Sequence, residues 1–458
     1  YQPGFEIVGS DSFVSRPLGF CVKASNSQGL AKACHSPYHT CSVFAKAGQS
    51  FNLAITPVAW NQSHDTNLCD NPVTTNFELD EMPLSHQLVA PSAADGGTNG
   101  RLSTANYQHR LGNGHSATVV VKQAVDEVGV FQFGVIPQAK AYMGMTIPAS
   151  YSSAVGRFTP NSLQIVGNQP QVQNSCGSFS YLGQPLHFTN VAKPNIEVRG
   201  LAVDGNETLN YLLPDWWRYQ ARWLGRTYID RSGRQLPLNI ALEGHLSLNA
   251  PDATLLDETI KYIRTPKLET PFKSNFELHL SATDVTDADN ICYQDKNGRC
   301  SGYSFTDISG SDLRYGRMQL QNVYGPKNEV LRMPADTQFV NSKGQWQLNT
   351  ADNCSSYNTS SHAAGATTGL YMQVPIHFPP LKAYADANLS STTGHIHSGI
   401  GHIYYTPPLA NGNVAVELNV VPWLKWFWLG NSLSNPKADA HFGAYRGDDH
   451  IIYWKEQF

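Results

Sequence analysis

Hydrophobic and polar residues alternate with a period of two in many segments along the chain. Apolar residues take every second position in the runs Phe51–Ile55, Phe276–Leu280 and Val414–Val420, with polar or small residues between them. This period is typical of a β-strand that buries one face. Turn signals occur between such runs, at Asn99-Gly100, Asn113-Gly114, Asp204-Gly205, Asn297-Gly298 and Asn411-Gly412. The pattern therefore predicts many short strands joined by tight turns.

The last turn signal predicts a hairpin between the β-prone runs 402–405 and 414–420. Helical windows are scarce, and segment 252–263 fits a strand about as well as a helix because of its β-branched residues. The predicted fold is all-β, with several β-sandwich domains in series that are Ig-like or jelly-roll-like. Irregular stretches place an N-terminal sandwich at 1–150, a central β domain at 151–290 and a C-terminal β domain at 291–458.

Composition excludes two classes of partner. Charged residues make up only 15% of the 458 residues, the net charge is −4, and no long basic run is present. The electrostatic surface of a nucleic-acid binder is therefore missing. The most apolar stretch, Val420–Leu429, is short and contains Pro422 and Lys425. We expect neither nucleic-acid binding nor a membrane span from this chain.

The cysteines indicate an oxidising compartment. The chain has eight of them without paired Cys-x-x-Cys spacing, which is typical of disulfides in an extracellular or cell-surface protein. Cys292 and Cys300 bracket a turn-rich loop that is short enough to be closed by one bond. The sequence predicts this disulfide and leaves the pairing of the other six cysteines open.

Two groups of residues have ligand types that metals prefer. Oxygen ligands for Ca²⁺ are offered by a loop that contains Asp284, Asp287, Asp289 and Asp295. A structural calcium ion is one interpretation of this loop, and a solvated acidic loop is the other, since the EF-hand spacing is incomplete. A second group consists of three histidines, His395, His397 and His402. A zinc or copper site is one interpretation of this group, and ordinary surface histidines are the other.

Aromatic and basic residues cluster before the middle of the chain and predict a ligand-binding surface for a glycan or a protein. The residues are Trp216, Trp217, Arg218 and Arg222. The alternative is that these tryptophans belong to a core. Signatures of nucleophilic, phosphate-binding and metalloprotease sites are absent, so the chain is predicted not to be an enzyme. A glycosidase needs only two facing carboxylates, for which the candidates are Asp230, Glu243, Asp257 and Glu258.

An ordered set of strings resembles a known family. They are Arg16–Phe20, Phe44–Phe51, Val155–Pro160, Asn206–Tyr211, Leu313–Leu320, Asn349–Cys354, Phe442–Gly447 and Ile451–Glu456. Taken in this order, they resemble the large C-terminal domain of the Q-type biogenesis proteins of the mannose-sensitive haemagglutinin (MSHA) type IV pilus. The resemblance runs from Arg16 to Phe458. Within the strings, Arg157 and Arg317 follow glycines and are expected to pair with carboxylates at sheet ends.

The resemblance implies a Gram-negative surface protein that is connected with type IV pili and acts in attachment, and it implies no catalytic residue. The expected partners are pilus or other cell-surface components, glycans, or further copies of the chain in an oligomer or filament. Two other functions stay open, a structural subunit of an extracellular filament and a carbohydrate-active enzyme on a sandwich scaffold. The strand-like run Trp454–Phe458 is a candidate pairing edge for assembly.

Overall fold

The computed structural model describes residues 14–443 except 64, 66, 113–115, 242–243 and 429. The regular structure of this part is almost entirely β-strand, which confirms the all-β prediction. It contains no α-helix, only short 3₁₀ turns at Tyr38–Thr40, Leu68–Asp70, Ala93–Asp95, Leu209–Leu212, Ala282–Val285 and Pro422–Leu424. No helix of the described part is long and apolar enough to cross a membrane. The run Trp454–Phe458 lies outside the described residues.

The first sandwich packs two sheets with strand orders β2-β1-β4-β7 and β3-β10-β8-β5-β6, and β9 pairs with β8. Alternating apolar residues from both sheets meet in one core, as the period of two requires. Phe51, Phe131 and Phe158 are among its fully buried side chains. The strands are β1 Gly19–Asn26, β2 Gly29–Leu30, β3 Ala45–Lys46, β4 Phe51–Val58, β5 Leu79–Ala90, β6 Asn106–His109, β7 Val119–Gln123, β8 Gly129–Val135, β9 Ser150–Tyr151 and β10 Val155–Thr159.

The second sandwich has sheets with strand orders β11-β14-β18-β17, β12-β21-β20-β15 and β13-β19-β16. Its core joins the inward faces of all three sheets, with Val198, Ile260 and Phe276 fully buried. The strands are β11 Ser162–Gly167, β12 Ser180–Tyr181, β13 Leu186–His187, β14 Asn195–Leu201, β15 Thr227–Asp230, β16 Leu238–Ala241, β17 His245–Asn249, β18 Asp252–Leu256, β19 Thr259–Tyr262, β20 Phe272–Leu280 and β21 Tyr303–Arg314.

The third sandwich has sheets with strand orders β22-β24-β30-β28 and β23-β32-β31-β27, with β25 pairing with β24 and a small β26-β29 pair. Met333, Ile403 and Val414 meet in its core. The strands are β22 Gly316–Leu320, β23 Val323–Gly325, β24 Leu331–Val340, β25 Trp346–Leu348, β26 Ser356–Asn358, β27 Leu370–Gln373, β28 Ala383–Tyr384, β29 Thr393–His395, β30 His402–Tyr405, β31 Gly412–Leu418 and β32 Lys437–Phe442.

The sandwich boundaries differ from the predicted ones. Strand β10 pairs with β8 in the first sandwich, so that domain continues past the predicted end at 150 to Thr159. Strands β20 and β21 pair with each other across the predicted boundary at 290, so the second sandwich ends at Arg314. The irregular stretches used to place the boundaries lie near strands that belong to the sandwiches, β9 and β10 in the first and β21 in the second.

The structure also decides two local predictions. The predicted hairpin is wrong, because β30 pairs with β24 and β28 whereas β31 pairs with β27 and β32. The turn at Asn411 therefore carries the chain from one sheet of the sandwich to the other. Segment 252–263 forms the strands β18 and β19, which agrees with the strand interpretation and rules out the helix.

All eight cysteines form disulfides, and the predicted bond between Cys292 and Cys300 is confirmed. The others join Cys21 to Cys69, Cys34 to Cys41 and Cys176 to Cys354. The last bond spans 178 residues and links the second sandwich to the third.

Loop length predicts which of these bonds stabilises most. The Cys176–Cys354 bond closes a loop of 178 residues and the Cys292–Cys300 bond one of 8. On chain entropy alone, replacing the first pair by serine lowers the free energy of unfolding by about 3 kcal/mol more than replacing the second. Denaturant unfolding of Cys176→Ser/Cys354→Ser and Cys292→Ser/Cys300→Ser measures the difference. Equal losses would show that loop closure does not dominate.

Candidate functional site at the sandwich junctions

The predicted aromatic platform is only partly exposed. Trp216 is 5% exposed and packs in the core of the second sandwich, so its ring faces are not free for a ligand. Trp217 is half-buried, and its indole N–H donates to the Val198 carbonyl at 3.2 Å. Arg222 is exposed, whereas the Arg218 Nε lies 3.7 Å from a carboxylate oxygen of Asp289. The four residues do not form one open surface.

The four predicted calcium ligands accept hydrogen bonds from the protein itself. Asp284 is buried and accepts the Ser281 and Gly225 amides, which caps the short 3₁₀ turn at Ala282–Val285. Asp295 accepts the backbone N–H groups of a surface turn. Asp287 accepts the Tyr211 hydroxyl within the second sandwich, and Asp289 beside it accepts Arg157 of the first. Among the described residues, these four carboxylates are not one of the groups with metal-ligand spacing.

The first junction is built around a buried ion pair between Arg157 and Asp289. Arg157 lies on β10 of the first sandwich and donates from both terminal nitrogens to Asp289 of the second, at 2.5 and 2.6 Å. The two side chains are only 7% and 8% exposed. The Arg157 Nε donates to the Cys41 carbonyl at 3.0 Å. This pairing was expected from the sequence for Arg157, but its partner across the junction was not.

A second buried carboxylate, Glu127, also bonds across the first junction. Glu127 of the first sandwich accepts the backbone N–H groups of Leu209 and Asn210, at 3.0 and 3.2 Å. The Asn210 side-chain amide donates to the carbonyls of Thr98 and Val128, at 2.9 and 2.8 Å. Each bond crosses between sandwiches. Buried polar groups of both domains are therefore satisfied only when the domains are in contact.

Burial raises the pKa of two carboxyl groups at this junction. Desolvation raises the pKa of Asp287 to about 6, against the lowering effect of bonds from the Ile291 amide, the Tyr211 hydroxyl and the Asp289 amide. Desolvation likewise raises the pKa of Glu127, although three backbone N–H groups oppose it. Both groups favour their neutral forms more than exposed carboxyls do.

The second junction combines a covalent bond with a buried polar network. The Cys176–Cys354 disulfide crosses it. Beside this bond, the Tyr181 hydroxyl of the second sandwich donates to Asp352 of the third at 2.6 Å and accepts from the Asn349 amide at 2.6 Å. Tyr181 packs in the core of the third sandwich, so the second domain contributes side chains to its neighbour.

Arg264 adds further bonds across the second junction. Its guanidinium donates to the carbonyls of Gly316 at 2.7 Å and of Trp423 and Lys425 at 2.8 Å each, all in the third sandwich. It also lies over the Tyr315 ring, 4.6 Å from the centroid. Arg264 is 8% exposed, and burial lowers the pKa of its guanidinium. Arg264 is therefore satisfied by backbone carbonyls and not by a carboxylate. No sequence motif predicted this arrangement.

The remaining predicted residues serve local structure. Arg317 stacks on Trp346 and bonds to Gln338 instead of a carboxylate, so its predicted ion pair is not formed. In the described part, the one group with metal-ligand spacing is Cys176, Asp352 and Cys354, whose cysteines are joined. The three histidines of the zinc or copper pattern are thus not such a group; they are His395, His397 and His402.

The four carboxylates that were candidates for a glycosidase site have different surroundings. Glu258 is buried against Arg226, which donates two bonds of 2.8 Å to it. Asp230 accepts the Tyr262 hydroxyl, and Asp257 is exposed. Glu243 lies outside the described residues. Two of the four carboxylates are thus engaged by protein donors.

Comparison with known protein families matches nearly the whole chain to three consecutive domains of one family. The second domain of DUF6701 matches residues 16–119, the third matches 127–307 and the fourth matches 314–457. The curated proteins contain no match.

Several solved structures share low similarity with the chain. The FdeC adhesin of Escherichia coli is 11% identical over 93% of this chain and 99% of its own, with a TM-score of 0.32. Invasin, a bacterial integrin-binding protein, is 8% identical over 92% of this chain and 60% of its own, at 0.21. An I-band fragment of titin is 7% identical over 87% and 95%, at 0.22. TM-scores this low do not show that the domains are arranged as in these proteins. The β-sandwich fold follows from the strand pairing described above.

Substitution of Arg157 tests the ion pair. Arg157→Met leaves Asp289 buried without its bidentate partner, and we expect the free energy of unfolding to fall by about 3–5 kcal/mol. Arg110→Met is the matched control, because Arg110 is 52% exposed beside Glu78. The control should cost less than about 1 kcal/mol. Denaturant unfolding compares the two, and equal costs would contradict a role for the buried pair.

The raised pKa of Asp287 predicts a pH dependence. Since its pKa is about 6 in the folded protein and near 3.9 when unfolded, folding takes up a proton between these values. Lowering the pH from about 7 to 5 should therefore raise the free energy of unfolding of the wild type, relative to Asp287→Asn, by about 1 kcal/mol. Parallel stability curves for the two proteins over this range would refute the assignment.

Proposed function

The chain belongs to the DUF6701 family, and from this premise and the two closed junctions we propose that it is an extracellular surface protein that acts in attachment. It holds exposed loops and sheet edges of three sandwiches at fixed relative positions and binds other surface components without turning over a substrate. Association with a type IV pilus is the finer part of the proposal. The resemblance of its ordered strings to the Q-type MSHA proteins supports that part.

The form of both junctions supports this role most directly. Only residues 160–161 lie between β10 and β11, and only Tyr315 lies between β21 and β22. Domains joined through exposed flexible linkers are expected to move relative to each other. Here the linkers are very short, and buried polar bonds join the neighbouring sandwiches directly. The second junction also has the Cys176–Cys354 disulfide. A fixed array of this kind suits a protein that presents a binding surface away from the cell.

The disulfides support an extracellular location. All eight cysteines are paired, and disulfides persist in oxidising environments such as the bacterial periplasm and cell surface. Charged residues make up only 15% of the chain, so its polar character comes mainly from uncharged residues such as Asn, Gln, Ser, Thr and Tyr.

Cell-surface experiments test the proposal. Antibody raised against the purified chain should label intact cells of the source bacterium, and immunogold electron microscopy should place the label on or beside pili. Removing the gene should reduce adhesion to surfaces at least several-fold, and the wild-type gene should restore it. Label seen only in permeabilised cells, or unchanged adhesion, would refute the attachment role. Regular filaments built from this chain would favour the structural subunit instead.

A further inference from the structure

A cleft of about 460 Å³ lies where loops of the first sandwich meet a loop of the second. Its lining from the first sandwich includes Tyr38, Pro91 and Asp95, and from the second it includes Asp215 and Trp216. This volume falls within the range of small-ligand sites, roughly 300–1,000 Å³. Because both sandwiches contribute a wall, the cleft exists only while the first junction is closed.

The walls of the cleft are held in place before any ligand arrives. The loop that carries Tyr38 is closed by the Cys34–Cys41 disulfide. The Cys41 carbonyl accepts the Arg157 Nε, so the arginine of the junction ion pair also fixes this loop. Asp95 is anchored by Ser92, whose hydroxyl donates to its carboxylate at 2.6 Å. A preformed site avoids the ordering cost of binding.

The chemistry of the lining selects a class of ligand. Tyr38 and the rings of Pro37 and Pro214 give apolar faces, and the buried Pro91 and Trp216 lie behind them. Exposed carboxylates of Asp95 and Asp215 stand at the rim, and no lysine or arginine lines the cleft. Apolar faces pack against the carbon face of a sugar ring, and a carboxylate accepts hydrogen bonds from neighbouring hydroxyls. His39 is the one basic side chain of the lining, so the two carboxylates give the rim an excess of negative charge that disfavours acidic sugars.

We propose that this cleft binds a neutral saccharide, and that it is the surface through which the protein attaches. The inference rests on the proposed function and supplies the ligand class for it. It retains the predicted role of the Trp216 region in glycan binding but moves the contact from the tryptophan faces to Tyr38 and Asp215 beside it.

Binding by the purified chain tests the cleft. Calorimetry or saturation-transfer NMR with a panel of neutral oligosaccharides and their sialylated counterparts should show binding of neutral members and none of the sialylated ones. Tyr38→Ala and Asp215→Asn should each weaken that binding about tenfold, as expected when a charge-assisted bond or a ring contact is lost. Asp215 has a positive φ of 65°, a conformation that asparagine also tolerates.

Matched controls keep the test specific. Asp307→Asn changes an exposed aspartate that also has a positive φ, of 56°, away from the cleft. Tyr324→Ala removes a tyrosine of the third sandwich that is 44% exposed. Both should bind saccharide as the wild type does. Failure of every neutral saccharide to bind, binding of basic peptides alone, or wild-type affinity in the two cleft variants would overturn the proposal.

Adhesion assays separate this inference from the proposed function. If removal of the gene abolishes adhesion while Tyr38→Ala and Asp215→Asn preserve it, attachment stands and the cleft is refuted. If purified protein binds saccharide through the cleft but removal of the gene leaves adhesion unchanged, the site stands and the attachment role is refuted. Loss of both adhesion and saccharide binding in the two variants, with intact folding by thermal denaturation, supports both.

Discussion

The near absence of linker residues between the sandwiches constrains the rest of the structure. Strand β11 starts three residues after β10 ends, and β22 starts two residues after β21 ends. Loop ends of neighbouring domains are therefore pressed together, and their polar groups lose contact with water. An unpartnered buried charge or amide costs several kcal/mol. Arg157, Glu127 and Arg264 meet this demand by bonding across the junctions, so each junction behaves as an extension of the domain cores.

The period-two pattern was sufficient to predict the strands and the fold class, because each strand buries one face whatever its neighbours are. It was not sufficient to predict pairing. Asn411-Gly412 is a strong local turn signal, yet β30 and β31 lie in different sheets, since sandwich topology and not the turn decides which strands pair. The domain boundaries failed for a related reason. Composition does not mark domain ends here, because the stretches that looked irregular contain or adjoin the paired strands β9, β10 and β21.

The partners of single side chains at the junctions were equally hard to predict from the sequence. A run of aspartates has the same sequence whether its oxygens hold an ion, a backbone amide or an arginine. Asp284 and Asp287 accept backbone N–H groups, and Asp289 accepts Arg157. A cation within the largely apolar strand Val155–Thr159 was the available signal, since a buried arginine requires a partner. Nothing comparable marked Arg264, whose partners are main-chain carbonyls of a distant segment.

The bond between Cys176 and Cys354 also decides how the molecule carries a pulling force. A series of domains is loaded along its length when its two ends are pulled apart. Tension that enters the second sandwich at Cys176 passes through the sulfur atoms directly to Cys354, and the segment between the two cysteines, which are 178 positions apart, stands outside the load path. Fully extended, that segment would be about 600 Å long. The disulfide prevents its extension even if the hydrogen bonds of both sandwiches break.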